Sequence, residues 1–195
     1  MKVYTLNKNL YIPQLLIIAG NARNVGKTTL AIQLISRFAA SHKIIAFKVS
    51  SVKPNDEIWH GNHEEAIPDD YIINVEDVSN CAKDTARMLA AGAMQAFYIR
   101  TRETHILQAL EDLMNRLPTD CMLICESRSL GELVKPGLLV VLHKLGDVPG
   151  RKDIASLEAK ADVLIHIPEN TNFPEETKLL FSVDKGKWVY STNTW

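Results

Sequence analysis

The sequence is poor in cysteine, balanced in charge and without long hydrophobic runs. Its three cysteines, Cys81, Cys121 and Cys125, are odd in number, and the last two lie in one apolar run that is typical of a core strand. A disulfide framework is therefore not expected, which favours a reducing compartment. No apolar run reaches the ~18 residues that a membrane span requires, and the first residues lack the apolar core of a secretion signal. We predict a cytoplasmic protein without a membrane partner.

Charge and length exclude further classes of protein. The chain has 22 basic and 23 acidic residues and a formal net charge of -1. The surplus of positive charge that nonspecific nucleic-acid binding requires is absent, so we expect no nucleic-acid partner. With 195 residues, of which 46% are hydrophobic, the chain is long enough for one well-buried core. It is predicted to form a single domain over residues 1–195.

What is present is a regular alternation of strand-like and helix-like patterns. Short apolar runs without polar alternation favour strands that are covered on both faces. Between several of these runs, apolar positions recur at a spacing near 3.6 residues, which favours amphipathic helices. Together the patterns predict an α/β fold of three layers, with a mostly parallel central sheet and helices on both of its faces. The predicted strands cover residues 15–19, 44–47, 96–99, 121–125, 138–142 and 163–167.

Two stretches depart from this alternation. Residues 50–70 are rich in charge, contain proline and glycine, and are too long for an ordinary connection in a compact domain. We expect a mobile, functional loop there. Near the carboxyl end, the apolar residues 179–183 and 188–190 flank a turn-like stretch at residues 184–187. This composition predicts an antiparallel hairpin at the edge of the sheet.

A strand-like run, a loop and an amphipathic helix follow one another between residues 15 and 38. Backbone amides at the start of such a helix attract phosphate, and Gly26 allows a ligand to approach the backbone closely. Lys27 is predicted to be a catalytic cation on the β- and γ-phosphates, and Thr28 to ligate a Mg²⁺ that bridges them. The predicted nucleotide-binding residues are Gly20, Asn21, Ala22, Arg23, Asn24, Val25, Gly26, Lys27, Thr28, Thr29 and, from the next strand, Lys48.

Glu126 is a further candidate at the same site, and Lys48 and Arg23 each have more than one interpretation. Glu126 follows an apolar strand and is predicted to be catalytic, by holding the metal or by polarising an attacking water; a surface glutamate is the alternative. Lys48 ends the second strand and emerges at the same edge of a parallel sheet, where it contacts a phosphate or an anionic substrate or is simply solvated. Arg23 either supplies positive charge to the transferred phosphate or faces solvent or a partner subunit.

These residues resemble those of the molybdopterin-guanine dinucleotide biosynthesis protein B family. The resemblance covers roughly residues 14–142 and rests on the loop end at residues 25–30, on Lys48, and on Lys83-Asp84-Thr85-Ala86-Arg87 followed by Ala91-Gly92-Ala93. It implies a three-layer P-loop NTPase fold, a helix between the last two segments, and GTP binding with weak hydrolysis. It also implies an auxiliary role in molybdopterin cofactor biosynthesis with a protein partner, commonly as a homodimer.

The chain is also similar to dethiobiotin synthetase. The spacing from Gly20 to Gly26 is one residue longer than in the simplest phosphate loop, and Lys48 falls where the substrate-side lysine of that enzyme is expected. This similarity implies an ATP-dependent ligase or kinase that acts on a small carboxylate or hydroxyl compound. A third interpretation is a nucleotide-binding module with little catalysis. The choice between GTP and ATP stays open, because the guanine-reading motif Asn-Lys-x-Asp is absent.

Overall fold

A mostly parallel, seven-stranded sheet forms the centre of the protein. The computed structural model describes residues 10–53, 70–77, 83–146, 150–169, 171, 173–174, 177 and 180–191. The strand order is β3-β4-β2-β5-β1-β6-β7, and every pair is parallel except β3 with β4. All six predicted strands are confirmed. The strands are β1 (Tyr11–Gly20), β2 (Ile44–Val52), β3 (Tyr71–Val75), β4 (Gln95–Arg102), β5 (Met122–Glu126), β6 (Lys135–Lys144) and β7 (Val163–Ile167).

Helices cover both faces of the sheet, as the continuous apolar strands predict. In β1, Leu15 and Ile17 belong to the core on one face, whereas Leu16 and Ile18 belong to the core on the other. Because side chains alternate along a strand, a strand that is buried on both faces needs apolar residues at every position. The α1 and α2 helices contribute to one core, and α3, α4 and α5 to the other. Their bounds are α1 (Lys27–Phe38), α2 (Asp84–Ala90), α3 (Ile106–Arg116), α4 (Arg128–Leu133) and α5 (Ala155–Glu158).

The predicted hairpin near the carboxyl end is present, but its predicted position at the sheet edge is wrong. Strands β8 (Phe181–Asp184) and β9 (Lys187–Tyr190) pair antiparallel as a separate two-stranded sheet. The physical reason is the burial of Trp188, which is 2% exposed in the α1-side core. Its indole Nε1 donates to the carbonyls of Gln14 and Leu123, each at 3.1 Å. An edge strand could not reach those carbonyls, because they belong to β1 and β5, which lie inside the sheet.

The stretch at residues 50–70 begins differently from the prediction. Strand β2 continues to Val52, so its first residues are part of the sheet, and residues 54–69 lie outside the described residues. The helix expected between Lys83 and Ala91 is present as α2, and Gly92 follows it with a φ of 108°. Cys121 and Cys125 are free and buried, while Cys81 lies outside the described residues. No helix in the described part of the chain has the length and apolar character needed to cross a membrane.

Candidate functional site

A cavity of about 590 Å³ lies at the carboxyl edge of the parallel strands. The loop after β1, the end of β2 and the residues after β5 all reach it, because parallel neighbouring strands end at the same edge of a sheet. The structure therefore brings together residues that are separated by about a hundred positions in the chain. The predicted site residues that line the cavity are Gly20, Ala22, Arg23, Asn24, Gly26, Lys27, Thr28, Thr29, Lys48 and Glu126.

Asn21 and Val25 hold the loop in place from behind the cavity wall. Asn21 is 1% exposed; its Nδ2 donates to the carbonyl of Lys144 at 3.0 Å, and its Oδ1 accepts from the amide of Lys144 at 2.9 Å. These bonds tie the loop to the end of β6. Val25 is buried, and its Cγ1 would be only 2.8 Å from a Cβ added to Gly20. Both side chains are thus engaged in the fold and neither lines the cavity, although the sequence predicts both as nucleotide-binding residues.

The backbone turns sharply at Gly26 to begin α1. Gly26 has a φ of 104°, in the left-handed region that favours glycine, and an added Cβ would lie 2.8 Å from the Cβ of Phe173. Its carbonyl accepts the first helical hydrogen bond from Leu30 at 2.9 Å, and no side chain caps the helix. The first amides of a helix have no partner inside the helix and carry its positive dipole end. This turn therefore presents donors for an anion in the cavity.

Lys27 places a poorly hydrated cation beside these amides. Its Nζ donates to the carbonyl of Ala22 at 2.8 Å. Burial lowers the pKa of Lys27; the carboxylates of Glu126 and Asp84 act in the opposite direction, and the ammonium of Lys48 adds to the lowering. A buried cation of this kind is stabilised when an anion enters, because the negative charge replaces the favourable interactions with water that burial removed.

Glu126 lies in the floor of the cavity and faces Thr28. The Oγ1 of Thr28 donates to Oε2 of Glu126 at 2.7 Å, and Nζ of Lys48 lies 3.7 Å from Oε1 of the same carboxylate. Glu126 is only 5% exposed. The alternative of a surface glutamate is therefore wrong. A hydroxyl and a carboxylate at this separation form an oxygen ligand set of the kind that Mg²⁺ prefers.

Lys48 bridges two carboxylates. Its Nζ is 2.5 Å from Oδ2 of Asp84, and in the sheet register it is the neighbour of Glu126 on one side and Tyr98 on the other. Burial disfavours the ammonium, but the charge of Glu126 and the hydrogen bond to Asp84 outweigh that cost, so the pKa of Lys48 is raised. The alternative of a solvated lysine that leads into a loop is wrong, since β2 continues for four residues beyond it.

Several lining residues were not predicted from the sequence. Asp84 comes from the first turn of α2 and Arg87 from its last turn. The others are Tyr98 from β4, Ser51 from β2, Ser129 from α4, and Lys152 from the segment before α5. The available signals were weak: Asp84 lies in the segment that carries the family resemblance, and Tyr98 is a polar interruption of an apolar strand. Asp84 in particular is recognisable only from its contact with Lys48, 36 positions away.

Arg23 lies exposed on the wall of the cavity. Lys152 lines the same cavity, and its pKa is lowered by burial and then by the positive charges of Arg128 and Arg23. Cations that lie close together also favour a common anion. The rim therefore adds to the positive field that Lys27 creates at the start of α1.

Among the described residues, no group of three or more His, Cys, Asp or Glu side chains could hold a metal ion by itself. A metal in this cavity would therefore need ligands from a bound molecule in addition to Thr28 and Glu126, which is the usual arrangement for Mg²⁺ with a nucleotide. Comparisons of the chain with protein-family models, with curated proteins and with solved structures found no match.

Proposed function

We propose that the protein binds a Mg²⁺-bound nucleoside triphosphate, GTP or ATP, through a P-loop at Gly20–Thr29 and acts on its terminal phosphate. The observation that carries this proposal is the contact between Thr28 and Glu126, with the Oγ1 to Oε2 distance of 2.7 Å. It joins the first turn of α1 to the end of β5 inside the cavity. Phosphate-binding loops use this pairing of a hydroxyl at the helix start with a carboxylate on an adjacent strand.

The polyphosphate would lie along the turn at Gly26. The amides at the start of α1 donate to its oxygens, and Lys27 releases the carbonyl of Ala22, to which its Nζ now donates at 2.8 Å, and binds the phosphates instead. Anion binding also relieves the desolvation of Lys27, whose pKa is lowered by burial. The loop therefore binds a multiply charged anion better than a neutral ligand.

Thr28 and Glu126 would hold the metal, directly or through its water. Mg²⁺, when bound, neutralises charge on the β- and γ-phosphates and aligns them. If Glu126 does not contact the metal directly, its carboxylate orients an attacking water or accepts a proton from it. Lys48, 3.7 Å from Oε1 of Glu126, compensates the charge of that buried carboxylate.

Two cellular roles use such a site. The family resemblance supports GTP binding with slow hydrolysis, and an auxiliary role with a protein partner in molybdopterin cofactor biosynthesis, as a homodimer. A specific observation favours the second role, that of an ATP-dependent ligase or kinase: the cavity continues beyond Glu126 to Tyr98, Asp84 and Arg87, so there is room for a second substrate next to the terminal phosphate. A nucleotide-binding module without catalysis would not require that extension.

Nucleotide binding by the wild-type protein and by Lys27→Ala tests the proposal. Titration calorimetry with Mg²⁺ and nonhydrolysable analogues of GTP and ATP is expected to give saturable binding that the variant weakens by about 100-fold or more, because one charge and its phosphate contacts are lost. Lys43→Ala is the matched control, since Lys43 pairs with Asp120 at the opposite end of β2 and both are exposed. Equal affinities of the wild type and Lys27→Ala would remove the proposed phosphate site.

Phosphate release from GTP and ATP then separates the roles. GTP preference without stimulation by small acids supports the accessory role, and ATP use that depends on such an acid supports the transferase. Binding without turnover in either case supports the nucleotide-binding module.

A further inference from the structure

We propose that the part of the cavity beyond Glu126 is a subsite for a small hydroxy acid, which accepts the terminal phosphoryl group of the nucleotide. The subsite is lined by Lys48, Ser51, Asp84, Arg87, Tyr98 and Ser129. This inference rests on the proposed function, because the nucleotide is the phosphoryl donor. It assigns a substrate class to residues that the nucleotide site leaves unused.

The order of strands places the subsite on the terminal-phosphate side. Thr28 and Glu126, which would hold the metal, mark the end of the loop at which the terminal phosphates would lie. From β1, which carries the phosphate loop, the sheet continues through β5 and β2 to β4. Glu126, Lys48 and Tyr98 are register neighbours across these three strands. The row from Glu126 to Tyr98 therefore extends away from the loop and past the terminal phosphate.

Asp84 is the base of this subsite. Its Oδ2 accepts from Lys48 at 2.5 Å, while its Oδ1 is 3.8 Å from Nη1 of Arg87, beyond hydrogen-bond distance. Asp84 is partly exposed to the cavity, with 32% of its side-chain area accessible. Oδ1 therefore has space to accept a hydrogen bond from a substrate hydroxyl. Lys48 holds the carboxylate in place and keeps it next to Glu126.

The remaining walls indicate the rest of the substrate. One wall consists of serine hydroxyls: Ser51 donates to Ser129 at 2.9 Å, and Ser129 is 3.4 Å from Ser127, whose Oγ accepts from the amide of Leu130. Such hydroxyls bind further hydroxyl groups of a substrate. Arg87, three residues after Asp84, supplies a guanidinium that suits a carboxylate. A small molecule with hydroxyl groups and one carboxylate matches both walls.

Phosphoryl transfer in the subsite forms one bond to phosphorus and breaks another. The substrate oxygen forms a bond to the terminal phosphorus, and its proton passes to Oδ1 of Asp84. The bond between that phosphorus and the bridging oxygen breaks, and its electron pair leaves with the nucleoside diphosphate. The products are a phosphorylated hydroxy acid and the diphosphate, and Asp84 returns its proton to solvent.

Transfer of label from γ-³²P-labelled ATP and GTP, with Mg²⁺, tests the inference. The acceptors are D-glycerate, L-tartrate and D-gluconate, and glycerol is the control, because it has the hydroxyl groups of glycerate without the carboxylate. We expect at least one acid to take up label at a rate about tenfold or more above glycerol, which corresponds to one specific charged contact. Nucleotide binding without transfer to any of the three acids would overturn the subsite. Failure of nucleotide binding itself would overturn the proposed function as well, so the two failures are distinguishable.

Two variants assign the roles within the subsite. Asp84→Asn keeps the shape but removes the base, and should lower kcat for the best acid by about 100-fold or more while its KM changes less than about threefold. Arg87→Gln should instead raise the KM for the acid by about tenfold and leave kcat nearly unchanged. Asp120→Asn, at an exposed carboxylate that pairs with Lys43, is the control. Transfer by Asp84→Asn at the wild-type rate would overturn the role of Asp84, and circular dichroism checks that each variant is folded.

Discussion

Thr28 and Glu126 are 98 positions apart in the chain, yet the hydroxyl of one donates to the carboxylate of the other at 2.7 Å. Thr28 belongs to the first turn of α1, and Glu126 is the last residue of β5. The pairing of β5 with β1, in which Ile18 is opposite Glu126, brings the two residues to the same edge of the sheet. The Nζ of Lys48 lies 3.7 Å from the other oxygen of the same carboxylate, so a hydroxyl and an ammonium both face Glu126.

The first prediction concerns the charge of Glu126. Glu126→Gln preserves the side-chain volume and an oxygen acceptor for Thr28, but it removes the negative charge. We expect hydrolysis to slow by about 100-fold, since an amide is not a base, while affinity for the Mg²⁺-nucleotide falls by less than about tenfold. Single-turnover phosphate release and titration calorimetry measure the two effects separately.

A matched control is Glu111→Gln. Glu111 lies on α3, which packs against the face of the sheet opposite α1. If Glu126→Gln hydrolysed nucleotide as fast as Glu111→Gln, Glu126 would have no part in the reaction.

Much of the fold can be predicted from local sequence, because burial on both faces imposes apolar residues at each position of a strand. The run from Leu15 to Ala19 is an example, since all five side chains have no exposed area. Strand β3 lacks this signal, because it pairs only with β4 and Val75 is 66% exposed. A strand at the sheet edge is stabilised by one neighbour and so leaves a weak pattern in the sequence.

Part of the candidate site can likewise be predicted from local sequence, and part of it cannot. The loop around Lys27 is local, and its glycine, lysine and threonine are adjacent in the sequence, so their spacing predicts the phosphate site. The contact of Lys48 with Asp84 depends on the order of β2 and β4 in the sheet and on where α2 begins. No local pattern determines that order. The same reason explains the position of the hairpin, which is determined by the two carbonyls that Trp188 reaches.

The second prediction is a loss of nucleotide affinity at alkaline pH. Burial lowers the pKa of Lys27 below its usual value of 10.5, and bound phosphates favour its charged form. The free protein therefore loses the Lys27 proton before the complex does, so affinity is constant below the lowered pKa and falls by up to about tenfold per pH unit above it. Lys48 stays charged in this range, since its pKa is raised, whereas Lys152, whose pKa is also lowered, contributes a smaller change from the rim.

Titration calorimetry between about pH 7.5 and pH 10 measures this effect, with the nucleotide phosphates fully ionised over most of the range. Lys27→Met should bind weakly and show a much flatter pH profile, and Lys152→Met should keep most of the wild-type profile. An unchanged pH profile in Lys27→Met would assign the titration to another group.

The third prediction concerns the turn at Gly26. Gly26→Ala forces a side chain into the left-handed region at a φ of 104° and places its Cβ 2.8 Å from the Cβ of Phe173. Gly186→Ala is a matched control: Gly186 has a φ of 72°, and nothing lies within 4 Å of an added Cβ. The control should lose about 1 kcal/mol in free energy of unfolding from backbone strain, and Gly26→Ala about 2–4 kcal/mol, because a steric clash is added. Urea denaturation measures both free energies of unfolding. Equal losses would mean that Phe173 moves away from the new side chain with no loss of stability.

The fourth prediction is that a change at Trp188 lowers the stability of the protein without changing its affinity for nucleotide. The Nε1 of Trp188 donates to two main-chain carbonyls, those of Gln14 and Leu123, and its ring packs edge-on against Phe38 with centroids 5.4 Å apart. Trp188→Phe keeps an aromatic ring but removes the donor, which leaves the carbonyls of Gln14 and Leu123 without that bond. We expect the free energy of unfolding to fall by about 1–3 kcal/mol. Nucleotide affinity should stay within about twofold of the wild type, because Trp188 is not among the residues that line the cavity.

Urea denaturation gives the stability of Trp188→Phe, and titration calorimetry its nucleotide affinity. Val189→Ala is the control on the same strand, since Val189 is 38% exposed and its truncation removes little buried area. An unchanged denaturation midpoint in Trp188→Phe would mean that the two carbonyls gain water in place of the indole. A large loss of nucleotide affinity with unchanged stability would instead mean that the hairpin acts on the site through α1, on which Phe38 lies.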